Sequence, residues 1–395
     1  MPPDPSRLRA VVEHLQAIER PSASPGERRA AEWIRDRLAE LGCRARVEQE
    51  RATGSFTLPV GLLSGLAAAA GLARAGRPLA AAGGLAAAAA IADDVSSGPR
   101  RFRRLLPARA TYNVVAEAGD PEADETVVFV AHHDAARGGL IFHPGPTRWV
   151  ADTFPDWYAR QETSPRLMQL TVAGPALAGA GALLGLPRVR RAGGLMALGT
   201  VLAMADIAAR AVVPGANDNL ASVALLVELA RLLRDEPPAG VRVLLVSTGS
   251  EESLLEGMRG FVARHAGGLP RERTRFVVLE CIGAPEAILL EGEGMLRGHD
   301  YPAAARDWLA GCAERAGRPL RRRLRTGLAT DALVALKAGY PTAVLASIDE
   351  YKMAPNYHSR RDVAANLSFE TVVALTEVCL EAVRSLSGRA APVPA

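Results

Sequence analysis

A three-layer α/β/α fold around a mixed, mostly parallel sheet is predicted by two observations. Six short apolar runs recur along the chain: "TYNVVAEA", "ETVVFVAH", "VRVLLVST", "RFVVLEC", "EAILLEG" and "PTAVLAS". Each has strand length and draws on β-branched residues. Helical stretches near 218–234, 302–316, 331–338 and 368–387 lie between or after them, and strands joined through helices form sheets covered on both faces. At 395 residues and 49% apolar, the chain can bury a large core, which excludes global disorder.

The elements follow in order. The opening "MPPDPSRLRAVVEHLQ" is polar and lacks the basic-then-apolar plan of a signal peptide. Cys43, Cys281, Cys312 and Cys379 are scattered, without the spacing of a disulfide framework or a structural zinc site. Both features point to a reduced, cytoplasm-facing compartment. In "SPGERRAAEWIRDRLAELG", Ser24 caps a helix, Pro25 takes its first position, Glu27 completes a capping box and Gly42 stops it. The tail "GRAAPVPA" is expected to be disordered.

Two apolar blocks interrupt this pattern. Residues 52–73, "ATGSFTLPVGLLSGLAAAAGLA", carry no charge, and "LAAAGGLAAAAAIA" follows after "RAGRP". The plan repeats at 167–187, "LMQLTVAGPALAGAGALLGLP", followed by "RVRR" and "AGGLMALGTVLAMADIAARAVV". Each pair reads as a helical hairpin with a basic connector, Arg74 and Arg77 in the first, Arg188, Arg190 and Arg191 in the second. The first arms reach the length of a bilayer span while the second arms fall short of it, and small residues would let the helices approach closely. Membrane association through these hairpins is expected, against the alternative of Ala-rich hairpins buried in or lying on a soluble protein. The domain plan is a discontinuous catalytic domain (1–51, 106–140 and 212–390), an inserted hairpin (52–105), an inserted loop with the second hairpin (141–211), and the tail 389–395.

Net charge is only +4. The runs "RRFRR" and "RRRLR" lack interleaved aromatics, so they read as solvated faces and no nucleic-acid partner is expected.

Chemistry concentrates where the apolar runs end. After "VVFVA" come His132, His133 and Asp134; "PGANDNLAS" sets Asp218 at a helix start. Glu251 and Glu252 follow "VRVLLVSTGS", "RFVVLE" ends on Glu280, and "NYHSRRD" carries His358. Sheets of this kind place their sites at the carboxyl ends of strands. Imidazole and carboxylate donors without thiolate suit zinc or a similar divalent ion, and there are more of them than one four-coordinate metal needs.

The order His-x-Asp, Gly-Ala-x-Asp-Asn, Glu-Glu, acid, Tyr-His resembles the co-catalytic di-zinc aminopeptidases. That family includes bacterial leucyl aminopeptidases, glutamate carboxypeptidase II and the glutaminyl cyclases. The resemblance covers roughly 5–50, 106–139 and 212–388, and it implies the zinc exopeptidase fold and two zinc ions. It further implies His132 and His358 as ligands of different metals, Asp218 as the bridge between them, and Glu252 and Glu280 as the carboxylates completing each. By the same resemblance Asp134 orients His132, Glu251 is the general base, Tyr357 hydrogen-bonds the developing oxyanion, and His133 is a pocket or bystander residue. The sequence departs from the family at three points: Glu280 where Asp is usual, Ala332 where a histidine is usual, and the second apolar block between His132 and Asp218. That insertion could serve as a lid or bring the site to a membrane. The implied activity is removal of N-terminal residues from peptides. Carboxypeptidase or glutaminyl cyclase chemistry on the same site, or an inactive membrane receptor, are the alternatives.

Overall fold

A computed structural model describes residues 2–74 and 76–387; the expected disordered tail lies outside them. Helices α1 (Pro5–Gln16) and α2 (Pro25–Glu40) lead into strand β1 (Arg44–Ala52), and the first helical pair follows, α3 (Thr57–Leu72) and α4 (Arg77–Val95). Next come β2 (Arg109–Gly119), β3 (Glu125–His132), the short α5 (Gly145–Thr153) and α6 (Pro155–Ala159), and the second pair, α7 (Met168–Leu184) and α8 (Pro187–Ala209). The remainder runs α9 (Ala221–Asp235), β4 (Val241–Thr248), α10 (Glu256–His265), β5 (Thr274–Glu280) and β6 (Glu286–Leu289). A small ladder of β7 (Gly292–Glu293) and β8 (His299–Asp300) precedes α11 (Ala303–Arg315), α12 (Ala332–Lys337), β9 (Thr342–Ile348) and α13 (Phe369–Leu386).

Seven strands form one mixed sheet in the order β1-β2-β4-β3-β5-β9-β6. Strands β4, β3, β5 and β9 are mutually parallel, while β1, β2 and β6 pair antiparallel at the two sides. The parallel part is therefore confined to the centre, where both faces are covered. Within β3 the side chains alternate: Val127, Phe129 and Ala131 face the core built with α1, α2, α9, α11 and α13, and Val128 and Val130 face the core built with α10 and α12. All six apolar runs become strands. Strand β1 has no apolar run to announce it, because "RARVEQERA" lies at the sheet edge with only two of its nine side chains buried, where charge discourages edge-to-edge pairing.

The predicted cap at α2 is partly rearranged. The Ser24 hydroxyl accepts from the Glu27 amide at 3.1 Å, but the Glu27 carboxylate reaches the Ala23 amide rather than that of Ser24. It also accepts from Thr111 Oγ1, the Tyr112 amide and Ser250 Oγ. Glu27 is thus a buried tie between α2, β2 and the loop after β4.

Helices α3, α4, α7 and α8 pack on one another as a four-helix bundle. The uncharged block from residue 52 is longer than its helix, since Ala52 closes β1 and only Thr57–Leu72 is helical. Backbones touch where glycines meet: a Cβ on Gly84 would stand 2.5 Å from the Gly179 amide nitrogen, and one on Gly193 only 2.2 Å from that of Ala178. The connectors close the far end reciprocally. Arg77 donates to the carbonyls of Ala182 and Leu183 at the end of α7, and Arg190 donates to those of Ala70 and Ala73 at the end of α3, so each hairpin caps the other's helix terminus.

This packing makes a direct prediction. Gly193→Ala should destabilise the full chain in thermal or urea unfolding by about 1–3 kcal/mol, the usual cost of overpacking. Gly199→Ala, where an added Cβ meets nothing within 4 Å, should instead be neutral or stabilising by up to about 1 kcal/mol through helix propensity.

Candidate metal and catalytic site

The strand register brings the candidate residues to one place. His132, the last residue of β3, lies opposite Thr248 at the end of β4, and β5 ends on Glu280. Asp134, fully buried, organises the junction. Its Oδ1 accepts from the Glu251 amide at 3.0 Å, and its Oδ2 accepts from the Glu252 amide at 3.1 Å and from Ser22 Oγ at 2.6 Å. The Nδ1 of His132 stands 3.3 Å from the Asp134 carbonyl oxygen and 3.4 Å from Oδ1. One carboxylate thus sets the ring of His132 and the backbone of both glutamates.

Asp218 sits in a loop that the rest of the molecule holds by its backbone. Asp362 accepts from the amides of Asn217 (2.7 Å) and Asp218 (3.1 Å), and the Asp218–Asn219 peptide is cis. Arg20, wholly buried, donates to the carbonyls of Gly215 (3.0 Å) and His133 (2.7 Å). It therefore joins the Asp218 loop to the end of β3.

The side chains then converge. Asp218 Oδ1 is 3.1 Å from His132 Nε2, and its Oδ2 is 3.3 Å from His358 Nε2. Glu280 Oε1 lies 3.6 Å from His132 Nε2, Glu252 Oε2 lies 3.3 Å from His358 Nε2, and Glu251 Oε2 lies 4.0 Å from His132 Nε2. Three groups result, each with its donor atoms within 4.8 Å of one another: His132–Asp218–Glu280 and Asp218–Glu252–His358, which share Asp218, and His132–Glu251–Glu252, which does not include it. Tyr357 stacks on the His358 ring at 3.9 Å, and Phe142 meets the same ring edge-on at 4.2 Å.

His133 turns away from this cluster. Its Nδ1 pairs with Ser247 Oγ at 3.0 Å, and burial pulls its pKa down to about 3, so the ring is neutral. Ala332, where the motif resemblance implies a histidine, is a buried core residue.

The charge balance points to cations. Burial works against ionising Asp218, yet the flanking imidazoles hold its carboxyl below the usual range. Burial would also lower the pKa of His358, but Glu252 and Asp218 lift it to about 10. Glu251 is pushed well above the ordinary carboxylate range by burial, with Glu280 and Glu252 adding to the effect. Glu252 Oε1 and His358 Nδ1 are buried without a hydrogen-bond partner, and the Asp218 Oδ2–His358 Nε2 contact at 3.3 Å lacks hydrogen-bond geometry. Buried orphan donors and excess negative charge are what divalent ions would satisfy, and the imidazole and carboxylate set fits zinc.

Several supporting residues carried no signal in the sequence beyond their proximity to a motif. Asp362 lies four residues after His358, and burial lifts its carboxyl to about 7. Asp331, next to Ala332, is likewise lifted to about 7 by burial while accepting from the Thr248 hydroxyl. Arg20 and Ser22 lie more than a hundred residues from what they hold.

A second buried cluster ties the catalytic loop to the first hairpin. Glu256 accepts from the amides of Thr53 and Gly54, just before α3. Arg103, just after α4, bonds Asp94 Oδ1 at 2.6 Å and the Ser253 carbonyl at 2.8 Å, and lies 3.0 Å from Glu256 Oε1. The chain leaving and re-entering the sheet around the hairpin is thereby fastened to the turn that carries Glu251 and Glu252.

A seven-stranded mixed sheet flanked by helices is a fold that this chain shares with solved aminopeptidase structures. Residues 199–383 match the model of Peptidase family M28, a segment that holds Asp218, Glu251, Glu252, Glu280, Tyr357 and His358. The resemblance read from the motifs thus falls on this family. None of the curated proteins compared with the chain matches it. Among solved structures, it is similar to an aminopeptidase from Aneurinibacillus sp. strain AM-1 (TM-score 0.58, 14% identity, covering 99% of this chain and 96% of that one). It is also similar to a Zn-dependent exopeptidase from Parabacteroides distasonis (0.56, 14%, 98% and 99%). A third is the glutaminyl cyclase of Tannerella forsythia (0.56, 14%, 97% and 99%). At these identities the likeness is one of fold.

The buried clamp yields a prediction. Arg103→Ala removes the nearest cation from Glu256 and leaves Asp94 with buried Arg100 alone, 3.5 Å away, and should cost about 3–5 kcal/mol, as removal of one partner of a buried pair does. Urea unfolding of the full chain is the measurement; Arg104→Ala, whose side chain is exposed, should shift it by less than about 0.5 kcal/mol.

Proposed function

We propose that the chain is a zinc exopeptidase of aminopeptidase type, acting through two metal ions. The observation that carries this reading is Asp218, whose two oxygens face the imidazoles of His132 and His358 separately. On this reading His132 and Glu280 hold one ion, His358 and Glu252 hold the other, and Asp218 serves both. Zinc bound there supplies Lewis acidity, polarising the scissile carbonyl and making a water acidic near neutral pH.

The chain's own residues do the rest. Glu251 belongs to neither of the groups that share Asp218, and its buried carboxyl, raised well above the usual carboxylate range by burial, suits a group that takes a proton from attacking water and returns it to the leaving amine. Asp134 holds the amides on either side of that division of labour, so base and ligand stay apart although adjacent in sequence. The Tyr357 hydroxyl is the candidate donor to the developing oxyanion. Phe142 and Tyr357 shield the His358 side from water.

Glutaminyl cyclisation is the competing reading, since a cyclase is among the similar folds. Cyclase chemistry in this family needs one zinc, whereas His132 and Glu280 build a second triad around Asp218. Metal analysis of the full chain should give close to two zinc ions per chain, with hydrolysis of a panel of aminoacyl-nitroanilides that is lost on chelation and restored by zinc. Glu251→Gln should keep the metal and lose at least about 10²-fold in kcat. One zinc per chain with release of pyroglutamyl product would replace the hydrolase by the cyclase.

Metal uptake should also release protons. With His358 lifted to about 10 in the metal-free site, its ring carries a proton at pH 7 that a cation must displace. Apparent affinity should rise with pH across the neutral range, up to about tenfold per unit for each proton displaced. Calorimetric titration in two buffers of different ionisation enthalpy should show at least one proton released per chain. Identical heats in both would contradict the protonated ring.

A further inference from the structure

The four-helix bundle is packed the opposite way round from a bundle in water. Its interior is lined by small residues, among them Ala67, Ala87, Ala182 and Ala197, each at most 1% exposed, while Leu62, Leu79, Leu183 and Leu202 stand 51–73% exposed. Among the described residues, every exposed large apolar side chain except Leu105 and Leu328 lies on α3, α4, α7 or α8, beside them at Leu167 and Leu186, or in the segment 140–157. In the longest helices only 44% of the apolar window of α4 and 28% of that of α8 is buried, too little for helices at the centre of a soluble core. All four helices show such leucines, so the apolar surface runs around the bundle rather than forming one face that a partner protein could cover.

Charge fits a bilayer, and length does so with help from the helix ends. At 1.5 Å per residue α4 and α8 extend about 28 and 35 Å, but their uncharged stretches, 78–92 and 192–205, only about 22 and 21 Å, so a hydrocarbon core of about 30 Å is met through local thinning and the reach of the terminal arginines. No charge lies between Arg77 and Asp93, or between Arg191 and Asp206. The far ends carry Arg74, Arg77, Arg188, Arg190 and Arg191, whose long side chains can reach a headgroup layer. Small residues at the contacts are what helices need where no hydrophobic drive holds them together.

A third feature marks the near end. The segment 140–157 starts at the foot of α8, where the Leu140 amide donates to Asp206 Oδ2 at 2.7 Å, and the chain returns to the foot of the bundle at Arg166, just before α7. Between these points it exposes Trp149, Phe154 and Trp157, each by more than half. Tryptophans gather at membrane interfaces because one ring combines apolar surface with a polar N–H. From the same segment Phe142 lies against His358. Leu254, two residues after Glu252, packs in one cluster with residues of α3, α4 and α8.

We infer that α3, α4, α7 and α8 are embedded in a lipid bilayer, with the 140–157 segment, which packs Phe142 on His358, at headgroup level. This goes beyond the exopeptidase reading and does not depend on it. The full chain should remain in the membrane pellet through an alkaline carbonate wash. After reconstitution into phosphatidylcholine vesicles, a Trp33→Phe/Trp308→Phe background leaves Trp149 and Trp157 as reporters. Lipids brominated near the headgroup should quench their fluorescence at least twofold more than lipids brominated near the chain end.

Leu62→Arg/Leu202→Arg should reduce the membrane-bound fraction at least tenfold, whereas on a water-exposed bundle the same changes would leave partition unaltered or raise solubility. Release by carbonate, a monodisperse chain without detergent, or unaltered partition of the double arginine variant would overturn the inference. Equal quenching from both depths would overturn the headgroup placement. No hydrolysis enters these readouts, so failure of the exopeptidase reading and failure of this one are separately visible.

Discussion

The carboxylate of Asp134 is the constraint on which the site depends. It has no access to solvent, yet it accepts from the amides of Glu251 and Glu252 and from Ser22 and flanks the His132 ring. Accepting several N–H and O–H donors keeps a buried carboxylate charged at modest cost. Because the donors are two successive amides, the glutamate side chains that follow are sent in different directions, Glu252 toward His358 and Glu251 toward His132. Without that junction, neither the metal triads nor the proposed base would have a fixed place.

Around it the protein accepts an unfavourable concentration of charge. Asp134, Asp218, Glu251, Glu252, Glu280 and Asp331 share one region, and buried Arg20 is the guanidinium aimed at the loops between them. Several of these acids are lifted in pKa when no cation is present. Like charges held together at low dielectric are costly on their own; the proposed cations convert that cost into binding free energy. The strain falls where parallel strands end, since there the backbone is fixed by the sheet and the side chains are free to converge.

The bundle solves a different problem with the reverse chemistry. Its contacts rely on glycine and alanine, with backbones close enough that an added methyl would collide. Its leucines, Leu63 apart, face outward. It is nevertheless not loosely appended. The Arg103–Glu256–Asp94 cluster grips the turn behind the glutamates, and the foot of α8 grips the segment that carries Phe142 to His358. The turn that carries Glu251 and Glu252 and the ring of His358 are therefore both braced against the foot of the bundle.

What the sequence determined by itself was local or periodic. The six apolar runs, the helix signals at Ser24 and Gly42, the apolar blocks and the polar residues at strand ends are all legible because burial on a strand or helix repeats every two or three to four residues. What only the tertiary structure decided was pairing over distance. The polar edge strand β1, the reach of Glu27 past its own cap to Thr111 and Ser250, and the hold of Arg20 on Gly215 and His133 leave no periodic trace, and the periodic leucines of the bundle do not say by themselves that they face outward. A hydrogen bond between residues 84, 117 or 223 positions apart is fixed by how the sheet and its layers close, and no local spacing encodes it.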